Sequence, residues 1–267
     1  LASGILGTSK ELLARVAKSG AGAVTIKSVS KVERPGHNNP TVITFEAGMM
    51  NAVGYSNAGL EKSKKEFSRL KDVNAPVIAS IIGTTKEDFA YMAKSFLSNE
   101  FAAVEIPLSC PHTPGFGVLA GQNTPEATYE ITKAVKNNTK LPVIVKLSPI
   151  TQAIGEIAKA AEKAGADAIN MGNTHGPGMI INIEAKKPVL DFKVGGVSGT
   201  AIRPIAVRCV YDVYEAVKIP IIGTGGIMNG RDAVEMLMAG ATAVGIGTAI
   251  YYRGIDVFEK ICREMED

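Results

Sequence analysis

The chain has 267 residues, 46% of them apolar and 21% charged, with a net charge of +3 from 29 basic and 26 acidic side chains. That content can bury a full core and excludes general disorder, and so small a charge excess predicts neither a nucleic-acid nor a membrane partner. Three scattered cysteines (Cys110, Cys209, Cys262) and three histidines, with no CxxC, argue against a disulfide framework or a zinc site, and no apolar run reaches a bilayer span. The default reading is a soluble cytoplasmic protein. Leu1-Ala2-Ser3-Gly4 reads as the end of a strand whose start is missing, and the chain stops inside a helical pattern. The expectation is one domain, 1–267, trimmed at both ends.

Taken in chain order, a strand remnant over 1–3 precedes a predicted helix over 10–18 and a strand over 23–28. An irregular stretch over 29–59 is too long for an ordinary barrel loop, which marks it as functional. Helix 60–70, strand 76–82, helix 86–97 and strand 102–106 follow, then a Gly- and Pro-rich loop over 107–124. Thr124 is a fitting N-cap, with Pro125 at the first position, for a helix over 125–137. Strand 143–147, helix 151–164 and strand 167–171 lead into a third insertion, 172–197. The chain ends with helix 200–217, strand 219–223, helix 230–239, strand 243–246 and helix 256–265.

Eight strand signals, each followed by a helix signal, with continuous Val/Ile/Ala strands, describe a parallel sheet buried on both faces. A helix-to-strand junction recurs around Gly20, Gly165 and Gly240, where glycine ends the helix and small neighbours let the chain turn inward. The predicted fold is therefore α/β, a (β/α)8 TIM barrel. Its three insertions follow strands and so lie on the C-terminal, catalytic face.

Gly223-Thr224-Gly225-Gly226-Ile227 and Gly245-Ile246-Gly247-Thr248 follow the last two predicted strands, where side-chain-free backbone can approach a phosphate. Lys27 and Lys146 end apolar strands. A lysine pointing into a barrel mouth calls for an anionic partner, which suggests an anionic ligand or intermediate. Cys110 opens the Gly/Pro loop on the catalytic face and could be a base, a nucleophile or inert; Cys209 and Cys262 read as structural, and His37 as an exposed loop residue. His112 and His175 fall on the second and third insertions. Asn51, Asn57, Asn173 and Thr174 put amide and hydroxyl groups on catalytic-face loops, suited to a flat heterocycle with alternating C=O and N–H groups.

Together these segments resemble the dihydroorotate dehydrogenases, FMN enzymes of pyrimidine synthesis. The match runs in order through Leu1-Ala2-Ser3-Gly4, Lys27-Ser28, Gly48 to Asn57, Ser109-Cys110-Pro111, Val145 to Pro149, Asn173-Thr174, Gly195 to Gly199, Gly223 to Ile227 and Gly247-Thr248. The resemblance implies that Ala2, Ser3, Lys27, Ser28, Ser80, Lys146, Gly199, Gly225, Gly226, Gly247 and Thr248 bind FMN. It implies that Lys27, Asn51, Val53, Gly54, Tyr55, Asn173 and Thr174 hold the substrate, and that no metal takes part. Cys110 would remove a proton from C5 of dihydroorotate while C6 delivers hydride to flavin N5, with Lys27 favouring the reduced anion. A cysteine base and the absence of a preceding membrane helix resemble the soluble classes, and the Gly-Gly-Val-Ser-Gly run most resembles the catalytic subunit of the NAD-linked heteromeric type. A homodimer and an iron–sulfur/FAD electron-transfer subunit are the implied partners.

The chain also departs from that pattern. Pro107 and His112 stand where the family has substrate-binding asparagines, and Ser80 where an asparagine is expected near the flavin. The alternatives are an FMN oxidoreductase of another reduced pyrimidine, a non-flavin phosphate-metabolite enzyme on the same barrel, and a binding subunit without turnover.

Overall fold

A computed structural model describes residues 1–109 and 121–266. In chain order its strands are β1 (Val24–Thr25), β2 (Val42–Phe45), β3 (Gly48–Asn51), β4 (Val77–Ser80), β5 (Ala103–Pro107), β6 (Val143–Leu147), β7 (Ala168–Met171), β8 (His175–Gly178), β9 (Ile181–Asn182), β10 (Lys187–Pro188), β11 (Gly195–Ser198), β12 (Ile221–Thr224) and β13 (Ala243–Gly245). The helices are α1 (Lys10–Lys18), α2 (Gly59–Glu66), α3 (Lys86–Phe96), α4 (Pro125–Lys136), α5 (Ile154–Lys163), α6 (Arg203–Ala216), α7 (Gly230–Met238), α8 (Ala249–Arg253) and α9 (Val257–Glu264).

Seven strands pair in parallel in the order β1-β4-β5-β6-β7-β12-β13. The eighth expected strand does not form a ladder. Residues 1–7 instead span the gap between the two sheet edges: the Ala2 N–H donates to the Ile246 carbonyl at 2.9 Å, and the Gly7 carbonyl accepts from the Lys27 N–H at 2.7 Å. This irregular segment closes the ring, giving the TIM-barrel architecture of an α/β fold.

The helices form where apolar spacing and caps agree. In α3, Phe89, Met92, Ala93 and Phe96 recur at helical spacing and are buried, and the Thr85 hydroxyl accepts from the Asp88 N–H at 3.2 Å. Asn229 and Asp232 close α7 with a reciprocal capping box. Strand alternation then divides the sheet. Val104, Ile106, Val143, Val145, Leu147, Ile169 and Met171 join the apolar cluster beneath the helices. Glu105, Lys146 and Asn170, from the same strands, and Thr224 of β12 come together by hydrogen bonds and an ion pair instead.

The first and third insertions are not irregular. β2 and β3 form a hairpin across Glu46-Ala47, and β11 adds to β3 with Val197 opposite Met50. β8 completes a four-stranded antiparallel sheet in the order β2-β3-β11-β8. Met50, Ala52 and Leu190 form a second small core against it, with Phe45, Phe192 and Val197 packed alongside. Here His37 is neither exposed nor idle: its ring stacks on Phe192 at 3.9 Å and its Nδ1 lies 3.0 Å from the Ala52 carbonyl.

Candidate active site

A cleft of about 230 Å³, open at its mouth, lies where the barrel strands end and the insertion sheet overhangs them. Of the residues singled out in the sequence, Ala2, Ser3, Lys27, Ser28, Asn51, Val53, Gly54, Tyr55, Lys146, Asn173, Thr174, Gly199, Gly225, Gly226, Gly247 and Thr248 all line it. Pro107 does too. Ser80 does not: it is fully buried behind Ser28, with the two hydroxyls 2.8 Å apart. Asn57 acts on the loop rather than the cleft, accepting from the Gly59 N–H at 2.9 Å and donating to the Tyr55 carbonyl at 2.8 Å. Cys110 and His112 lie outside the described residues.

Local structure places each group. Gly172 turns the chain out of β7 with a φ of +137°, where a Cβ would sit 1.6 Å from the Thr224 carbonyl oxygen. Only glycine fits there, and the turn delivers Asn173 and Thr174 to the cleft. Asn173 donates through Nδ2 to the Ser109 hydroxyl at 2.7 Å and accepts from the Thr174 N–H at 2.8 Å. Tyr55 holds a left-handed φ of 56°, an unfavourable conformation of the kind that concentrates at functional sites.

Gly225 and Gly226 follow β12, and Gly247-Thr248 leads into α8, a five-residue helix that the sequence reading did not separate out. Loops after the last two barrel strands, with the start of a short extra helix, are the recurrent phosphate position of this fold. The Thr248 hydroxyl donates to Ser198 at 2.8 Å, and the Tyr252 hydroxyl of α8 donates to the Gly48 carbonyl at 2.6 Å, tying this corner to the insertion sheet.

Lys146 lies on the cleft floor and is 4% exposed. Its Nζ donates to the Ser3 hydroxyl at 3.2 Å and lies 4.0 Å from Glu105 Oε1. Ser3 donates to the same Glu105 oxygen at 2.6 Å, Asn170 donates to the other at 2.6 Å, and Thr224 donates to Asn170 Oδ1 at 2.9 Å. The anion opposite Lys146 is therefore part of the protein, so this lysine does not by itself require an anionic ligand. Glu105 and Asn170 were not singled out in the sequence; their signal was a lone polar residue inside an otherwise apolar strand.

No group of three or more His, Cys, Asp or Glu among the described residues is placed to hold a metal ion. No helix among them is long and apolar enough to cross a membrane.

A TIM barrel whose strand ends carry lysines, amides and glycine loops around one cleft has the architecture of a barrel enzyme. The family model for dihydroorotate dehydrogenase matches residues 1–267, and the chain belongs to that family, one of oxidoreductases. It is 46% identical to the dihydroorotate dehydrogenase B (NAD(+)) catalytic subunit of Methanocaldococcus jannaschii, over 99% of this chain and 87% of that one. It is 47% identical to the subunit of the same name from Methanothermobacter thermautotrophicus, over 100% and 87%. The crystal structure of DHODH from Eimeria tenella in complex with ferulenol superposes with a TM-score of 0.83 at 23% identity, over 99% of this chain and 79% of that one, a likeness of fold.

Proposed function

We propose that this chain oxidises dihydroorotate to orotate with FMN as its bound cofactor. The observation that carries the reading is convergence. Phosphate-type glycine loops, two lysines and a set of amides from segments spread along the whole chain meet in one cleft, in a chain of this family.

The residues present fit the group. Gly199, Gly225, Gly226 and Gly247 leave backbone bare along one wall, and Ile202 and Ile227 add apolar surface beside them. In this reading Gly199, Gly225, Gly226, Gly247 and Thr248 hold the phosphate, while Ala2, Ser3, Lys27, Ser28 and Lys146 hold the ring system, with Ser80 acting through Ser28. Bound there, FMN supplies a two-electron acceptor for hydride. Asn51, Val53, Gly54, Tyr55, Asn173 and Thr174 orient the substrate so that its C6 hydrogen faces that acceptor. Removal of the C5 proton falls to Cys110, the residue after Ser109, which Asn173 anchors. Lys27 adds a positive charge where negative charge accumulates.

Purified protein should show flavin absorbance and release FMN on denaturation, and anaerobic dihydroorotate should bleach it. A colourless protein that takes up no FMN would sink the cofactor reading. Bleaching by dihydrouracil in place of dihydroorotate would instead favour the other reduced pyrimidine, the outcome that Pro107 and His112 motivate.

The relatives' name, catalytic subunit of an NAD(+) enzyme, supports a further element of the proposal. The chain works in the cytoplasm as a homodimer that passes electrons to NAD through an iron–sulfur/FAD subunit. Reduced protein mixed with NAD should reoxidise only when that subunit is present.

A further inference from the structure

The interior of a barrel of this kind is normally filled by bulky aliphatic side chains. Beneath the cleft of this one lies a carboxylate instead. Glu105 is 2% exposed and Asn170 4%, and neither lines the cleft, whereas Ser3, Lys146 and Thr224 do. A buried ion pair recovers its desolvation cost only when its geometry and remaining hydrogen bonds are complete, so such a pair is weak evidence of a stabilising role.

We propose that Glu105 is a positioning residue: from below the cleft its carboxylate fixes the Lys146 ammonium as the cationic floor of the site. The direction of each hydrogen bond supports this. Ser3 has a single hydroxyl proton and gives it to Glu105, so only its lone pair can face Lys146. Lys146 therefore spends one of its three N–H bonds downward, and among the described residues no other hydrogen bond uses the remaining two. The second carboxylate oxygen is held by Asn170, whose own oxygen accepts from Thr224. Glu105 is in this way the hub of a relay running from Lys146 and Ser3 on one side of the cleft to Thr224, beside the Gly225-Gly226 loop, on the other. That the group above Lys146 is a flavin rests on the function proposed above; the relay itself does not.

Four apoproteins test the proposal: wild type, Glu105→Gln, Lys146→Met and the double variant, each measured by urea unfolding and by FMN titration followed through fluorescence quenching. Glu105→Gln keeps the shape but strands the buried Lys146 ammonium, so it should unfold below the wild-type midpoint. Lys146→Met strands a buried carboxylate and should unfold earlier or fail to fold, and adding Glu105→Gln should restore it. FMN affinity should fall about tenfold in Glu105→Gln, the worth of one misdirected charge-assisted hydrogen bond, and the double variant should bind no more weakly than Lys146→Met. Ser3→Ala should weaken FMN binding as Glu105→Gln does, and Ser3→Thr, which keeps the hydroxyl, should not. The proposal is overturned if Glu105→Gln binds FMN as tightly as wild type, or if the two substitutions are additive in stability. If the wild-type apoprotein takes up no FMN, the cofactor reading fails, while the unfolding cycle still decides whether Glu105 and Lys146 act together.

Discussion

A Cβ at position 247 would make only ordinary van der Waals contact, its nearest atoms being Ala2 Cβ and Ile5 Cδ1, both at 3.8 Å. At Gly226 a Cβ would meet Arg203 Cβ at 2.6 Å with the backbone at φ +77°. Substitution at 226 therefore mixes strain with any effect on a ligand, and 247 separates them. Gly247→Asp should fold with the wild-type unfolding midpoint yet purify without flavin, because its carboxylate would face the phosphate. Full flavin occupancy in that variant would show the phosphate to be elsewhere. Cys110→Ala should keep its FMN and lose about 10² to 10⁴ in the rate at which dihydroorotate bleaches it, the usual loss on removing a general base. His112, two residues on, is the rival base. Rapid mixing of Cys110→Ala and His112→Ala with dihydroorotate separates the two, and a wild-type rate in Cys110→Ala would remove cysteine from the role.

At the scale of elements, α9 is clipped to the start of α7 by one carboxylate. Glu264 pairs with the Arg253 guanidinium and accepts from the Gly230 N–H at 2.8 Å. The Arg253 hydrogen bond, then that of Gly230, holds the Glu264 carboxyl below its usual 4.5. A depressed acid stabilises the fold at pH values above its unfolded pKa and loses that contribution as pH falls through the lower folded one. Glu264→Gln should thus cost about 1 kcal/mol or less at pH 7, the scale of a partly exposed pair. The difference from wild type should shrink below pH 4.5. Urea unfolding at pH 7 and pH 3.5 reads this directly, and a difference that does not depend on pH would exclude the charge as its source.

Elements of this kind were the most legible part of the sequence. The helix expected over 10–18 and the strand expected over 143–147 have those bounds in the structure, because period and caps are local signals. β2 and β3 pair with each other locally, but each is only four residues long, and the other neighbour of β3, β11, lies some 150 residues away, so Gly48–Asn51 carries little pattern of its own. The cleft was legible through its glycine loops, lysines and amides. The layer below it was not, since Glu105 and Asn170 acquire meaning only from contacts between strands.

For the whole molecule, barrel closure and ligand binding draw on the same residues. Segment 1–7 joins the first and last strands, and Ala2 and Ser3 within it also line the cleft. A ligand seated there binds only the closed form, so FMN at 100 times its dissociation constant should add about 2.7 kcal/mol to stability. For a chain of this size that corresponds to a rise of roughly 5–10 °C in Tm. Thermal scans of apoprotein with and without FMN measure it, and no shift would mean that FMN does not bind the folded chain.

The overhanging sheet β2-β3-β11-β8 is woven from two stretches of chain with nearly half of the sequence between them. Neither stretch can be inherited or transplanted alone. A graft that exchanged 172–197 for the counterpart of a relative would take β8 and part of β11 away from a hairpin still cut to fit them, leaving the β3 edge without its neighbour above the cleft. Changes of specificity in this scaffold should therefore arrive as matched pairs, one in each stretch, and a chimera that carries both should outperform either half.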